Sequence, residues 1–261
     1  MDAPMMEGLL EVATRAAQGP GARICSHFTN QRLAVERKGD GSPVTAADRE
    51  AETMIRTMLE KNPLSAEFDI LGEEFGQAGD TTRYRWLIDP IDGTRSFVNG
   101  IPLFGTILAL EDRESDKALI GVIHLPVLKV TYSAARGLGC VRNGKPVSVS
   151  KGSTIADSII ATGDIAQFIS AGCEYMFHQL TSVCPYVRAY TDCFGHGLVI
   201  SGAVGAMIDP ALNPWDARAT QVMVEEAGGK MVFRTSNEPK KIDAIFGTAA
   251  LVEQLVKQLN F

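Results

Sequence analysis

Trp86-Leu87-Ile88-Asp89-Pro90-Ile91-Asp92-Gly93-Thr94 decides how the rest of this chain is read. The apolar run from Trp86 to Ile88 reads as a buried strand. Two carboxylates follow, separated by Pro90 and Ile91. Pro90 has a fixed φ and no N–H, so the strand is expected to stop there. Gly93 lets the backbone approach something closely or take a positive φ. Thr94 is expected to be the N-cap of a short helix over 95–98. Two carboxylates at one turn repel each other unless a cation or a proton sits between them. The N–H groups of a helix start make an anion site just beyond them. A hard cation beside an anion site is what Mg²⁺-assisted phosphate chemistry needs, because Mg²⁺ is held by a few carboxylates together with substrate phosphate. Taken alone, D-P-x-D is an ordinary turn, since turns favour Asp and Pro anyway. Its meaning depends on the company it keeps.

Composition narrows the classes. The chain has 261 residues, 45% hydrophobic and 21% charged, enough for one large or two small globular units with a substantial core. A net charge of −6 and the lack of a Lys/Arg cluster argue against nucleic-acid binding. Cys25, Cys140, Cys173, Cys184 and Cys193 are odd in number and show no C-x-x-C spacing. They are expected to be reduced thiols of a cytoplasmic protein rather than a disulfide framework or a zinc site. No basic-then-apolar leader opens the sequence. The longest apolar run, 197–208, is too short to span a bilayer, so no membrane partner is expected.

Along the chain, residues 7–28 have helical spacing with a break at Gly19-Pro20-Gly21. Residues 38–43 form a loop, and a helix runs from about Asp48 to Lys61. Strands are expected at 68–71, 104–110, 118–125, 130–134 and 139–141, with Asn143-Gly144 marking a tight hairpin. This first half, 1–150, is helix-then-sheet with a largely antiparallel sheet. From 151 to 261 the rhythm alternates. Strands at 158–161, 186–190, 206–209, 230–233 and 242–246 are interleaved with helices at 166–180, 193–204, 213–227 and up to 259. That is an α+β half followed by an α/β half, packed as one body.

Three other acidic positions give the central stretch its company. Glu73, in Gly72-Glu73-Glu74, ends a strand as Asp89 and Asp92 do. If the strands are neighbours, these carboxylates meet at one sheet edge; by itself, the segment is also a normal solvated acidic turn. Asp216 follows Asn213 and Pro214 in a first helical turn, where the helix dipole favours an acid anyway. Asp48 opens a helix in the same way.

Gly72-Glu73-Glu74, the D-P-x-D-G-T core at 89–94 and Trp215-Asp216-Ala217, in this order and at these intervals, resemble the inositol monophosphatase superfamily over nearly the whole chain. The resemblance implies a layered αβαβα sandwich and a Mg²⁺-dependent, lithium-sensitive phosphomonoesterase, commonly homodimeric, with two to three Mg²⁺ per site. It implies that Glu73, Asp89 and the Ile91 carbonyl hold one ion, that Asp89, Asp92 and Asp216 hold a second, and that Glu73 with waters holds a third. It implies phosphate on the Gly93 and Thr94 amides, a catalytic set of Glu73, Thr94 and Asp48 in which Asp48 pairs with Thr94, and a loop lysine at Lys38. An activated water then attacks phosphorus in line, without a phosphoenzyme.

The resemblance further implies that the leaving group sits near Thr191-Asp192-Cys193-Phe194-Gly195-His196 and Asp209, with Asp92 also on the substrate side. A carboxylate at Asp192 suits a cationic alcohol, because it can pair with an ammonium group. This segment resembles the histidinol-phosphate phosphatase branch, which places the expected substrate in histidine biosynthesis. Inositol 1-phosphate or another polyol phosphate is the alternative, and a helix cap beside Thr191 explains Asp192 almost as well. His196 is expected to pack on its helix. A regulatory protein that lost turnover would have no need of Asp48, Glu73 and Thr94 together. A phosphatase of 3′-phosphoadenosine compounds would want a base-stacking pocket and more positive charge.

Overall fold

Alternation along the strand Tyr84–Asp92 decides the layers. The computed structural model of the chain describes residues 1–30, 35–37, 43–152 and 154–261. Trp86 and Ile88 enter one core with Ile70, Leu108, Leu110 and Val122. Leu87, between them, enters another with Ile107, Ala109 and Ile123. Both faces of this strand are therefore buried, and a one-residue slip would exchange the two sets. Each such side chain contributes about 1.5–3 kcal/mol by leaving water, so the register is firmly held.

The first sheet has eight strands in the order 145–146, 139–142, 130–135, 117–125, 105–112, 84–92, 69–72, 76–78. All neighbours are antiparallel except Asp69–Gly72, which runs parallel to Tyr84–Asp92. Helices Ala3–Gln18 and Ala46–Glu60 cover one face through Leu9, Ala13, Ile55 and Leu59. The other face meets helices Asp192–Ile200 and Pro214–Glu226, which also lie on a second, five-stranded sheet through Met207, Ala244 and Phe246. That sheet is ordered 187–188, 160–162, 206–212, 242–247, 230–235, with only 242–247 running antiparallel to its neighbours. Its far face carries helices Ile165–Ser170, Glu174–Val183 and Ala249–Leu259. The stacking is helix, sheet, helix, sheet, helix, as the resemblance implied. The middle helices share one core with residues on both sides of position 150.

Three local expectations are corrected. The central strand does not stop at Pro90 but continues to Asp92. Asp89 pairs with Ile107 and Asp92 with Gly105, so three steps on one strand match two on the other. Pro90 sits in that bulge, where no ladder N–H is required. Its carbonyl accepts the Thr106 hydroxyl at 2.9 Å. Thr94 is not the cap: Gly93 occupies that position with φ 81°, and Thr94 is the first residue of the helix Thr94–Val98. The helix expected over 166–180 is two helices, because Gly172 turns the chain through φ 65°. A short edge strand, Gly76–Ala78, went unread because it is polar and only three residues long.

Candidate active site

The parallel pairing brings the acids together. Gly72 lies opposite Ile88, and the Glu73 N–H donates to the Ile88 carbonyl at 3.0 Å. Glu73 and Asp89 therefore leave the same sheet edge side by side. The bulge then turns Asp92 to the same end. Asp216 arrives from the middle layer, in the first turn of the helix Pro214–Glu226, where its Oδ2 accepts from the Asn213 N–H at 3.2 Å. Asp89, Asp92 and Asp216 each offer an oxygen within 4.8 Å of the others.

Asp89 Oδ1 and Asp216 Oδ1 are buried and have no hydrogen-bond partner among the described residues. A buried carboxylate oxygen without a partner is costly, whereas a coordinated cation satisfies it. Burial, then Glu73, Asp92 and Asp216, push the Asp89 carboxyl well above the usual range. Burial, then Asp192 and Asp216, do the same to Asp92. Asp216 is raised by burial and by Glu73. A hard divalent cation, which takes oxygen ligands, fits this donor set.

Beside the acids lies an open cleft of about 580 Å³ whose walls include Glu73, Gly93, Thr94, Arg95, Thr191 and Asp192. Gly93 is required by contact as well as by its φ. A Cβ there would sit 3.0 Å from the Leu103 carbonyl and 3.3 Å from Asp192 Oδ2. Asp192 is the first residue of the helix Asp192–Ile200 and holds φ 58°. A left-handed conformation outside glycine marks a position that its surroundings over-determine. Its Oδ2 accepts the Thr191 hydroxyl at 2.8 Å. The next residue, Cys193, donates its N–H to Asp92 Oδ2. The central turn and the helix start at 192 are thus joined across 101 positions of sequence.

Not every predicted residue lands where it was expected. Asp209 is buried behind the cleft wall, and its Oδ2 accepts from His196 Nε2 at 2.9 Å. His196 is likewise buried. Its Nδ1 meets Thr220 Oγ1 at 2.6 Å, and its ring packs edge-on against Phe246. Asp209 Oδ1 has no hydrogen-bond partner among the described residues, and burial raises its carboxyl. The Thr94 hydroxyl gives its one proton to the Ile91 carbonyl at 3.0 Å and not to Asp48. Asp48 Oδ2 accepts the N–H and hydroxyl of Thr45, closing a capping box on the helix Ala46–Glu60. Lys38 lies outside the described residues. Sequence reasoning missed Glu52, a fully buried acid on that helix, because at helical spacing it resembled one more solvated charge.

A family model described as the inositol monophosphatase family matches residues 5–259. The chain belongs to that family. Inositol monophosphatase family members are metal-dependent phosphoric monoester hydrolases, and this chain has a cluster of acidic residues whose chemistry fits a cation. A histidinol-phosphatase from Chlorobaculum parvum is 38% identical over 223 residues, 84% of this chain and 83% of the relative. A fructose-1,6-bisphosphatase/inositol-1-monophosphatase from Aquifex aeolicus is 29% identical over 251 residues, 93% of this chain and 91% of the relative. Among solved structures, the extragenic suppressor protein SuhB from Bartonella henselae superposes with a TM-score of 0.86 at 28% identity. It covers 97% of this chain and 98% of its own. No helix among the described residues is long and apolar enough to cross a membrane.

Proposed function

We propose that this chain is a Mg²⁺-dependent phosphomonoesterase that hydrolyses L-histidinol phosphate to L-histidinol and phosphate. The observation that carries the substrate is Asp192. Its carboxylate stands in the cleft wall, 3.3 Å from where a Gly93 side chain would begin, in a conformation that an ordinary residue would avoid. A histidinol-phosphatase name for the Chlorobaculum relative points the same way.

Glu73, Asp89, Asp92, Asp216 and the Ile91 carbonyl would hold two cations, with Glu73 serving a third. Bound there, divalent cations supply Lewis acidity for activating water and for the charge on the phosphoryl and leaving oxygens. Gly93 and Thr94, on the cleft wall, fix the phosphate through their amides. The Glu73 carboxylate orients the attacking water and takes its proton. Asp48 supports this set through the helix start that it caps. Asp192 pairs with the substrate ammonium, and Asp92 lies beside it. Asp209, buried behind the wall and bonded to His196, is withdrawn from direct contact with the substrate. A cytoplasmic location, supported by five free thiols, belongs to the same proposal, as does a homodimer.

A second reading is a polyol phosphatase acting on inositol 1-phosphate. The hydroxyls and amides of Ser96, Asn99, Gln167 and Ser170 around the cleft favour it, as does the name of the Aquifex relative. The test is phosphate release with Mg²⁺ from histidinol phosphate, inositol 1-phosphate and fructose 1,6-bisphosphate side by side. Histidinol phosphate is expected to have a kcat/KM at least about 10-fold above the others, the worth of one charge-assisted contact. A preference for either of the other two overturns the assignment.

A further inference from the structure

We infer that Glu52 is a positioning residue for Glu73, acting through the turn that carries it. This rests on the reading of Glu73 as a cation ligand.

Glu52 lies in the middle of the helix Ala46–Glu60 and is completely buried. Its carboxylate faces the end of the strand Asp69–Gly72. Oε2 accepts the Glu74 N–H at 2.7 Å, and Oε1 accepts the Phe75 N–H at 3.3 Å. Arg56, one turn further along the helix, donates Nε to Oε1 at 2.7 Å. The Arg56 guanidinium also reaches the Gly76 carbonyl at 2.6 Å. Gly72 makes the approach possible, since a Cβ there would lie 2.0 Å from Glu52 Oε1. The peptide groups that follow Glu73 are therefore tied to the helix, while its own N–H is tied to Ile88. Glu73 is clamped from both sides.

A buried ion pair is a poor source of stability, because desolvation offsets most of its attraction. Well-packed apolar side chains would hold a helix against a sheet at least as well. What Glu52 supplies instead is direction: convergent backbone donors fix the turn in a single orientation. Asp48 lies one turn earlier on the same helical face, at i−4 from Glu52. One rigid helix thus sets both the cap acid and the turn of Glu73.

The test uses the full-length protein and two lesions that reach the same contact differently. Glu52→Gln removes the charge at constant size. Gly72→Ala leaves every charge in place and pushes the Glu52 carboxylate away. Mg²⁺ is titrated by calorimetry and by the fluorescence of Trp86 and Trp215, with melting temperature and a Mg²⁺ activation curve in parallel. Both variants are expected to remain folded and to bind Mg²⁺ about 10-fold or more weakly, as losses around metal ligands usually do. Saturating Mg²⁺ should restore most of the turnover. A folded Glu52→Gln, or a folded Gly72→Ala should the first not fold, with wild-type Mg²⁺ affinity overturns the inference. Wild-type protein that gives no Mg²⁺ heat or fluorescence change contradicts the cation reading itself.

Discussion

At the scale of single residues, the site is a place where stability has been given up for chemistry. Asp89, Asp92 and Asp216 are held above the usual carboxylate range by burial and by one another. Their folded pKa values exceed their unfolded ones, so the folded chain retains protons that the unfolded chain has lost. Stability from these groups is present at low pH and is lost as pH rises from about 4 through the raised folded values. Cation-free protein is therefore expected to melt at a higher temperature at about pH 5.5 than at about pH 7.5, and added Mg²⁺ should erase the difference. Asp92→Asn should raise the cation-free melting temperature at neutral pH by about 2–4 °C for each ~1 kcal/mol of repulsion removed, while lowering kcat/KM by about 10²-fold or more. Differential scanning calorimetry across pH, with and without EDTA, checks both. Asp192 makes a second case. Asp192→Asn should cost about 10–100-fold in kcat/KM for histidinol phosphate and less than about 3-fold for a neutral ester. Equal losses would reduce Asp192 to a local backbone device.

At the scale of elements, glycine contacts determine where the ligands stand. Gly121, on the strand Lys117–Leu125, has no room for a side chain, since a Cβ would lie 2.4 Å from the Ala219 carbonyl. That carbonyl belongs to the helix that begins beside Asp216. Gly121→Ala should lift the helix off the sheet and cost about 1–3 kcal/mol, while weakening Mg²⁺ binding with no ligand altered. Urea unfolding and Mg²⁺ calorimetry read the two effects separately. Elements of this kind were legible in the sequence where periodicity was strong: the long strands, the break after Gln18 and the alternation of the second half. The positions of Glu73, Asp89, Asp92 and Asp216 at one end of the sheet followed from the motifs and from strand adjacency. Pro90 misled because a bulge removes the need for its N–H, which no local rule reveals. Asp209 and Glu52 could not be placed because partners of each come from other elements, whereas the Thr94 hydroxyl turns to the Ile91 carbonyl three residues back, a local choice that spacing does not decide. Spacing along the chain predicts which face a residue occupies and not which group meets it there.

At the scale of the whole molecule, cation binding should be inseparable from stability. Two sheets meet through the middle helix layer, and Asp216 on that layer joins Asp89 and Asp92 on the first sheet. Cations that bind only the folded state stabilise it by mass action, about 2.7 kcal/mol at a concentration 100-fold above Kd. EDTA is therefore expected to lower the melting temperature, and Mg²⁺ should restore it in a saturable way; a melting curve indifferent to both would contradict this. Light scattering should give twice the chain mass if the proposed homodimer forms. The central claim is that acids from three distant segments enclose divalent cations beside a phosphate site. An anomalous-difference map from crystals grown with Mn²⁺ and phosphate tests it most directly. The account predicts at least two Mn²⁺ peaks about 3.5–4 Å apart, shared among Glu73, Asp89, Asp92 and Asp216, with phosphate between them and Gly93 and Thr94. Mn²⁺ bound elsewhere, with that acidic cluster bare, would contradict it.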